Sequence, residues 1–152
     1  MEIVAYAPRH LDAVVALSKA EGWMTFAGNP ERAGRAMTGP GVTALVAVER
    51  AAGAGPADAG PADAGAKGER VLGFSQAVGD GAVSGYLCVL LVVADRRGEG
   101  IGRALVERTL IDSGVLRLDL LSSEEAIPTY ERFPHIRMPG FRLYPDGSLR
   151  PR

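Results

Sequence analysis

Hydrophobic and polar positions alternate along the chain in patterns that change from strand-like to helical. An apolar run at residues 3–6 predicts a strand closed by Pro8, and the helical spacing of apolar residues after it predicts a helix. A second helix is predicted after Asn29, which can cap it, because Pro30 suits the first helical position. Residues 21–28, between the two helices, are predicted to form an aromatic loop bounded by glycines.

The rest of the chain continues this alternation of elements. Strands are predicted at residues 42–49, 71–80, 83–93, 115–121 and 141–144, with a tight turn at residues 79–81. A helix ended by Gly114 is predicted to bury Ile101, Ala104, Leu105 and Ile111 on one face. The element order predicts an α/β (α+β) sandwich around one sheet.

A short helix around Tyr130 is predicted to start near Glu124 or Glu125. That start places Tyr130 close to the helix N-terminus, where the partial positive charge of the helix would favour the ionised phenol.

Length and composition indicate one domain over residues 1–152, because 152 residues with 47% hydrophobic content suffice for one sizeable core. Residues 51–69 consist mostly of alanine, glycine and proline, and G-P-A-D-A occurs twice within them. Because such a segment lacks the apolar bulk to pack, we expect a disordered insertion in a hairpin.

Charge and cysteine content exclude several classes of function. A net charge of -1 and a pI near 6.1 predict neither nucleic-acid nor membrane partners. The single Cys88 excludes an internal disulfide and a multi-cysteine zinc site, and no metal is expected; its apolar surroundings predict a buried position. The first ten residues do not resemble a signal peptide, so we expect a cytoplasmic protein.

The most informative motif is the glycine-rich stretch at residues 97–102, between a predicted strand and a predicted helix. Such a turn presents backbone N–H groups at a helix N-terminus, which is an anion site. Gly98, Gly100 and Gly102 let the backbone approach an anion closely because they lack a Cβ. We therefore expect a phosphate-bearing ligand.

Spacing separates three kinds of phosphate-binding loop. A Walker A loop requires Lys-Ser or Lys-Thr where this chain has Arg103-Ala104, and the dinucleotide fingerprint requires a third glycine where Arg103 stands. Asp119 nevertheless falls near the distance expected for a ribose contact. The third pattern, Arg or Gln, two residues, Gly, one residue, Gly or Ala, is met in full by residues 97–102. An ordinary strand-to-helix turn is the structural alternative.

Residues 92–105 resemble the coenzyme A motif of the GNAT superfamily of acyl-CoA-dependent N-acyltransferases. Residues 125–133 and 139–141 are similar to later stretches of that family, so the resemblance covers residues 83–144, and the N-terminal half matches in element order only. The resemblance implies a mixed, mostly antiparallel central sheet with helices on both faces, acetyl-CoA as co-substrate, and a small-molecule or peptide amine as acceptor. A homodimer is plausible for this family.

The resemblance also implies roles for individual residues. Leu90 and Val92 would pair their backbone with pantetheine, Ser123 stands where the family often has an asparagine that contacts it, and Tyr130 aligns with the general acid. The residues expected to hold the phosphates are Arg97, Gly98, Glu99, Gly100, Ile101, Gly102 and Arg103.

The general base is the remaining requirement, since an alkylamine with a pKa of about 10.4 must lose a proton before it attacks. Glu21 is the first candidate, followed by Glu124, Tyr86 and His135. Two other functions stay open: a non-catalytic acyl-CoA sensor or interaction domain, and a nucleotide-binding regulatory domain.

Overall fold

The computed structural model describes residues 1–50 and 69–144. Within these residues one five-stranded sheet has its strands in chain order: β1 (Glu2–Ala5), β2 (Val42–Arg50), β3 (Glu69–Gly79), β4 (Ser84–Val92) and β5 (Arg117–Asp119). Neighbours pair antiparallel except β4 and β5, which are parallel. The predicted mixed, mostly antiparallel sheet is confirmed.

Helices cover both faces of the sheet, as predicted. They are α1 (Leu11–Ala20), α2 (Met24–Ala27), α3 (Pro30–Thr38), α4 (Ile101–Ser113) and α5 (Ile127–Tyr130), with 3-10 turns at Pro8–His10, Ala94–Arg96 and Glu124–Ala126. α1 and α3 pack on one face through a cluster around Val14, Met37 and Phe74. α4 packs on the other face, where Leu105 and Leu72 belong to one buried hydrophobic cluster. None of the helices in the described ranges is long and apolar enough to cross a membrane.

Local signals in the sequence set several element boundaries. The Asn29 side chain accepts a hydrogen bond of 2.9 Å from the Arg32 N–H at the start of α3. In the β3–β4 turn, the Asp80 carboxylate accepts hydrogen bonds from three backbone N–H groups, those of residues 82–84, which lowers its pKa. The predicted helix start and the predicted turn are both confirmed.

Other predictions of local structure were wrong or fall outside the described residues. The loop at residues 21–28 contains the short helix α2, and residues 141–144 form no strand, because their backbone joins no ladder among the described residues. Glu69, assigned to the insertion, already belongs to β3; residues 51–68 lie outside the described part.

Cys88 is exposed, so the prediction of a buried cysteine was wrong. Gln76 pairs with Val89 while Ala77 pairs with Leu87, which leaves Cys88 as the extra residue of a β-bulge. The bulge changes which face each side chain reaches. Leu87 packs with the α4 side and Val89 with the α1 and α3 side, although the two are only two positions apart.

Candidate functional site

The loop between β4 and α4 takes a conformation that requires glycine at two positions. Gly98 and Gly100 have φ of 83° and 84°, in the left-handed region that residues with a Cβ rarely adopt. A Cβ added to either would meet no atom within 4 Å. Both residues therefore border open space that a ligand can reach closely.

The start of α4 provides hydrogen-bond donors to that space. The first N–H groups of a helix have no partner within it, and Gly100 at the N-cap supplies no side-chain cap. The first turn carries no acidic residue, while Arg97 and Arg103 are more than half exposed beside it. Free N–H groups, helix polarity and two cations together suit a phosphate group. The described residues thus fit the predicted phosphate-bearing ligand.

Gly102 holds the start of α4 against the end of β4. A Cβ there would lie 3.6 Å from Val92 Cγ2 and 3.8 Å from Leu90 Cδ2, so the helix and strand approach closely. The structure thus places Gly102 next to Leu90 and Val92, and the roles of these residues toward a ligand stay predictions.

In the C-terminal half of β4, one backbone edge pairs with no other strand of the described residues. β4 pairs with β5 only from Ser84 to Tyr86, opposite Arg117 to Asp119. Beyond Tyr86 this edge meets no further strand among the described residues, whereas the other edge stays paired with β3 up to Val92. Such an edge can hydrogen-bond an extended ligand as an added strand would.

Arg96 is a structural part of the loop that the sequence reasoning missed. Its guanidinium bonds Glu49 of β2 at 3.0 Å and Glu99 at 2.8 Å, which raises the pKa of Arg96 and lowers that of Glu49. The Glu99 carboxylate is bonded to Arg96, so the group of Glu99 that can bind an anionic ligand is the backbone N–H. Nothing in the sequence pattern relates Arg96 to Glu49, 47 positions away.

Arg97 joins the loop to the C-terminal end of α1. Its Nε donates to the Val92 carbonyl at 3.2 Å, and a terminal nitrogen forms an ion pair with Glu21. Glu21, the first candidate for the base, therefore lies directly against the predicted coenzyme loop. Its carboxylate already has a cationic partner in this structure.

Tyr130 lies on the α4 side of the sheet, packed on the cluster of Ala77, Leu87 and Val106. It is the fourth and last residue of α5, which begins at Ile127 after a separate 3-10 turn, so it lies within the first turn of that helix, close to its N-terminus as predicted. Burial raises its pKa, so the prediction that the helix favours the ionised phenol was wrong. A phenol that stays protonated suits a proton donor.

The segment after Tyr130 returns to α4. The Arg103 guanidinium lies over the Phe133 ring, 5.9 Å from its centroid, and also bonds Glu107 at 2.8 Å. Arg103 thus connects the first turn of α4 to the chain segment that carries Tyr130.

The remaining candidates lie at other places. Ser123 begins the 3-10 turn, where its carbonyl accepts from the Ala126 N–H at 3.1 Å and its hydroxyl makes no capping bond. His135 is exposed, and its Nδ1 lies 2.9 Å from the Phe133 carbonyl. Over residues 1–50 and 69–144, no side-chain hydrogen bond joins the loop to the lesser base candidates, which are Tyr86, Glu124 and His135. Across the same ranges, no cluster of three His, Cys, Asp or Glu side chains is placed to bind a metal ion.

Several solved structures have a fold similar to that of this chain. An acetyltransferase candidate from Deinococcus radiodurans R1 is 26% identical, over 76% of this chain and 69% of that one, with a TM-score of 0.57. An aminoglycoside acetyltransferase from an uncultured soil sample is 19% identical over 94% and 97% of the two chains, with a TM-score of 0.64. An acetyltransferase of Trypanosoma brucei is 19% identical over 93% and 99%, with a TM-score of 0.58.

No family model and no curated protein matches the chain significantly. The mixed sheet, its two helical layers and these structural neighbours agree with the resemblance found in the sequence. The chain has the fold of the GNAT-type acetyltransferases.

Proposed function

We propose that this protein transfers an acetyl group from acetyl-CoA to a primary amine by direct attack in a ternary complex. The observation that carries the proposal is the loop before α4, where two left-handed glycines border open space beside free helix N–H groups. The likeness to proteins named as acetyltransferases supports the same chemistry.

The residues divide into those that hold the co-substrate and those that act on protons. Backbone N–H groups of residues 98–103, with Arg97 and Arg103, would bind the phosphates. The β4 edge that no strand pairs with at Leu90 and Val92 would bind pantetheine, beside the bond that the Val92 carbonyl accepts from Arg97. A backbone N–H beside the thioester carbonyl would stabilise developing negative charge there, an effect that typically contributes about 3–4 kcal/mol.

Tyr130 would donate the proton that the departing thiolate requires. A thiol has a pKa of about 8.5 and tyrosine about 10 in water, so the transfer is modestly uphill before burial is considered. Burial raises the pKa of Tyr130 and keeps the donor loaded at neutral pH, while it makes placement near the thiolate more important.

A screen for thiol release tests the proposal. Acetyl-CoA is incubated with amines that include simple alkylamines, polyamines, aminoglycosides and peptides, and free coenzyme is measured against a blank without amine. Release that depends on an amine, with the acetylated amine found by mass spectrometry, would support the proposal. Binding of acetyl-CoA without release from any amine would favour a sensor instead.

The sensor alternative shares the loop and lacks turnover. The ion pair between Glu21 and Arg97 favours it, because the first candidate for the base is engaged. Tyr130→Phe separates the two functions: an enzyme loses turnover and retains binding, whereas a sensor has no turnover to lose. The cytoplasmic location and the homodimer stay predictions.

A further inference from the structure

Arg97 is shared between two parts of the site. Its Nε is fixed on the Val92 carbonyl, while a terminal nitrogen pairs with Glu21 at the end of α1. The Arg97 side chain is 53% exposed and that of Glu21 is 20% exposed. A cation beside the loop is therefore paired with a carboxylate in this structure.

Resting on the proposed function, we propose that the phosphates of acetyl-CoA displace the Glu21 carboxylate from Arg97, and that the released carboxylate then binds the ammonium form of the acceptor amine. Arg97 and Glu21 would thus act as an anion-exchange pair. Under this proposal acetyl-CoA binds first, and the acceptor is cationic when it arrives.

The exchange favours phosphate for two reasons. A guanidinium binds phosphate through paired N–H groups, and the loop N–H groups at the start of α4 reinforce the same anion. Glu21 lacks that second set of donors and pairs with a guanidinium that is half in solvent, where ion pairs are weak. The bond from Nε to Val92 keeps Arg97 at the loop while its terminal nitrogens change partner.

The displaced carboxylate then needs another cation. Glu21 is mostly shielded from solvent, so losing Arg97 leaves a negative charge that water compensates only in part. An alkylamine with a pKa of about 10.4 arrives as an ammonium ion at neutral pH, which is the charge this position lacks. Glu21 is then a positioning residue for the acceptor, and the proton that the ammonium loses before it attacks passes to water.

The test is a set of acetyl-CoA titrations by calorimetry on the full chain. Glu21→Gln removes the competing anion, so acetyl-CoA should bind roughly two- to fivefold more tightly, the range expected for an ion pair whose guanidinium is half in solvent. In an Arg97→Met background, Glu21→Gln should change the affinity by less than a factor of about 1.5. Inorganic pyrophosphate, as a second probe, should follow the same pattern.

Glu31→Gln is the matched control, because Glu31 forms an equally simple ion pair with Arg35 within α3. It should leave acetyl-CoA affinity unchanged. Unchanged or weaker binding in Glu21→Gln would overturn the exchange, since Glu21 would then be neutral or would orient Arg97 for its ligand. A wild-type protein that binds ATP or NAD and not acetyl-CoA would instead refute the proposed function.

Discussion

Gly100→Ala separates the ligand-binding role of the loop from its folding role. Gly100 has φ of 84°, and a Cβ there meets no atom within 4 Å, so the substitution adds backbone strain without a clash. A left-handed conformation costs a residue with a Cβ about 1–2 kcal/mol. For a domain of this size, that loss lowers the melting temperature by about 2–8 °C.

Gly81→Ala is the control for strain. Gly81 has φ of 71°, a Cβ there also meets nothing within 4 Å, and it lies in the β3–β4 turn, before β4 begins, whereas the loop follows the other end of that strand. Both variants should lose similar stability in urea denaturation. The new methyl at Gly100 projects into the space proposed for the phosphates, so this variant alone should lose affinity for acetyl-CoA.

The expected loss of affinity follows from the hydrogen bonds that the methyl group displaces. One hydrogen bond to a charged group contributes about 1.5–3 kcal/mol, so losing one weakens binding roughly 10- to 150-fold. Calorimetry on the folded variants measures it. Equal affinities in Gly100→Ala and Gly81→Ala would refute the view that the open space at the loop receives the ligand.

Three further predictions concern proton transfer and stability. Tyr130→Phe should retain acetyl-CoA binding while single-turnover rates fall by about 10² to 10⁴; full turnover with a saturating amine would make this tyrosine structural. Thr109→Val should lower the free energy of unfolding by about 1–3 kcal/mol in urea denaturation, because it leaves the buried Ser75 hydroxyl, 2.7 Å from the Thr109 hydroxyl, without that partner. Adding Ser75→Ala should recover part of the loss. Burial lowers the pKa of His10, which bonds Glu69 at 3.2 Å, so the unfolded chain binds more protons than the folded one. The stability of the wild-type protein should therefore fall as the pH drops below about 6.5. An equally steep fall in His10→Gln would contradict this.

The parts of the fold that the sequence predicts well are those set by neighbouring residues. Asn29 and Pro30 start α3, Asp80 organises the β3–β4 turn, and alternating glycines mark the loop before α4. Each depends on capping, turn geometry or backbone freedom within a few positions, so the signal is present in a short stretch of sequence.

The parts that sequence reasoning missed depend on residues far apart in the chain. Cys88 is exposed because a bulge in the β3–β4 pairing shifts the alternation of side chains between the two faces of the sheet. No residue type in this stretch of sequence indicates the bulge. Ile111 is exposed, whereas Thr109 on the same helix is buried against β3, where its hydroxyl lies 2.7 Å from that of Ser75. The pairing of Glu21 with Arg97 likewise exists only once α1 and the loop have packed.

The central claim, that residues 97–103 form the coenzyme site, is tested most directly by NMR titration of the labelled protein. Coenzyme A, ATP and NAD are each added while the backbone amide signals are followed. We expect saturable shifts with coenzyme A that are largest at the amides of Gly98, Gly100, Ile101 and Gly102, in the loop and at the start of α4. Shifts confined to other parts of the chain, or a response to ATP or NAD without one to coenzyme A, would contradict it.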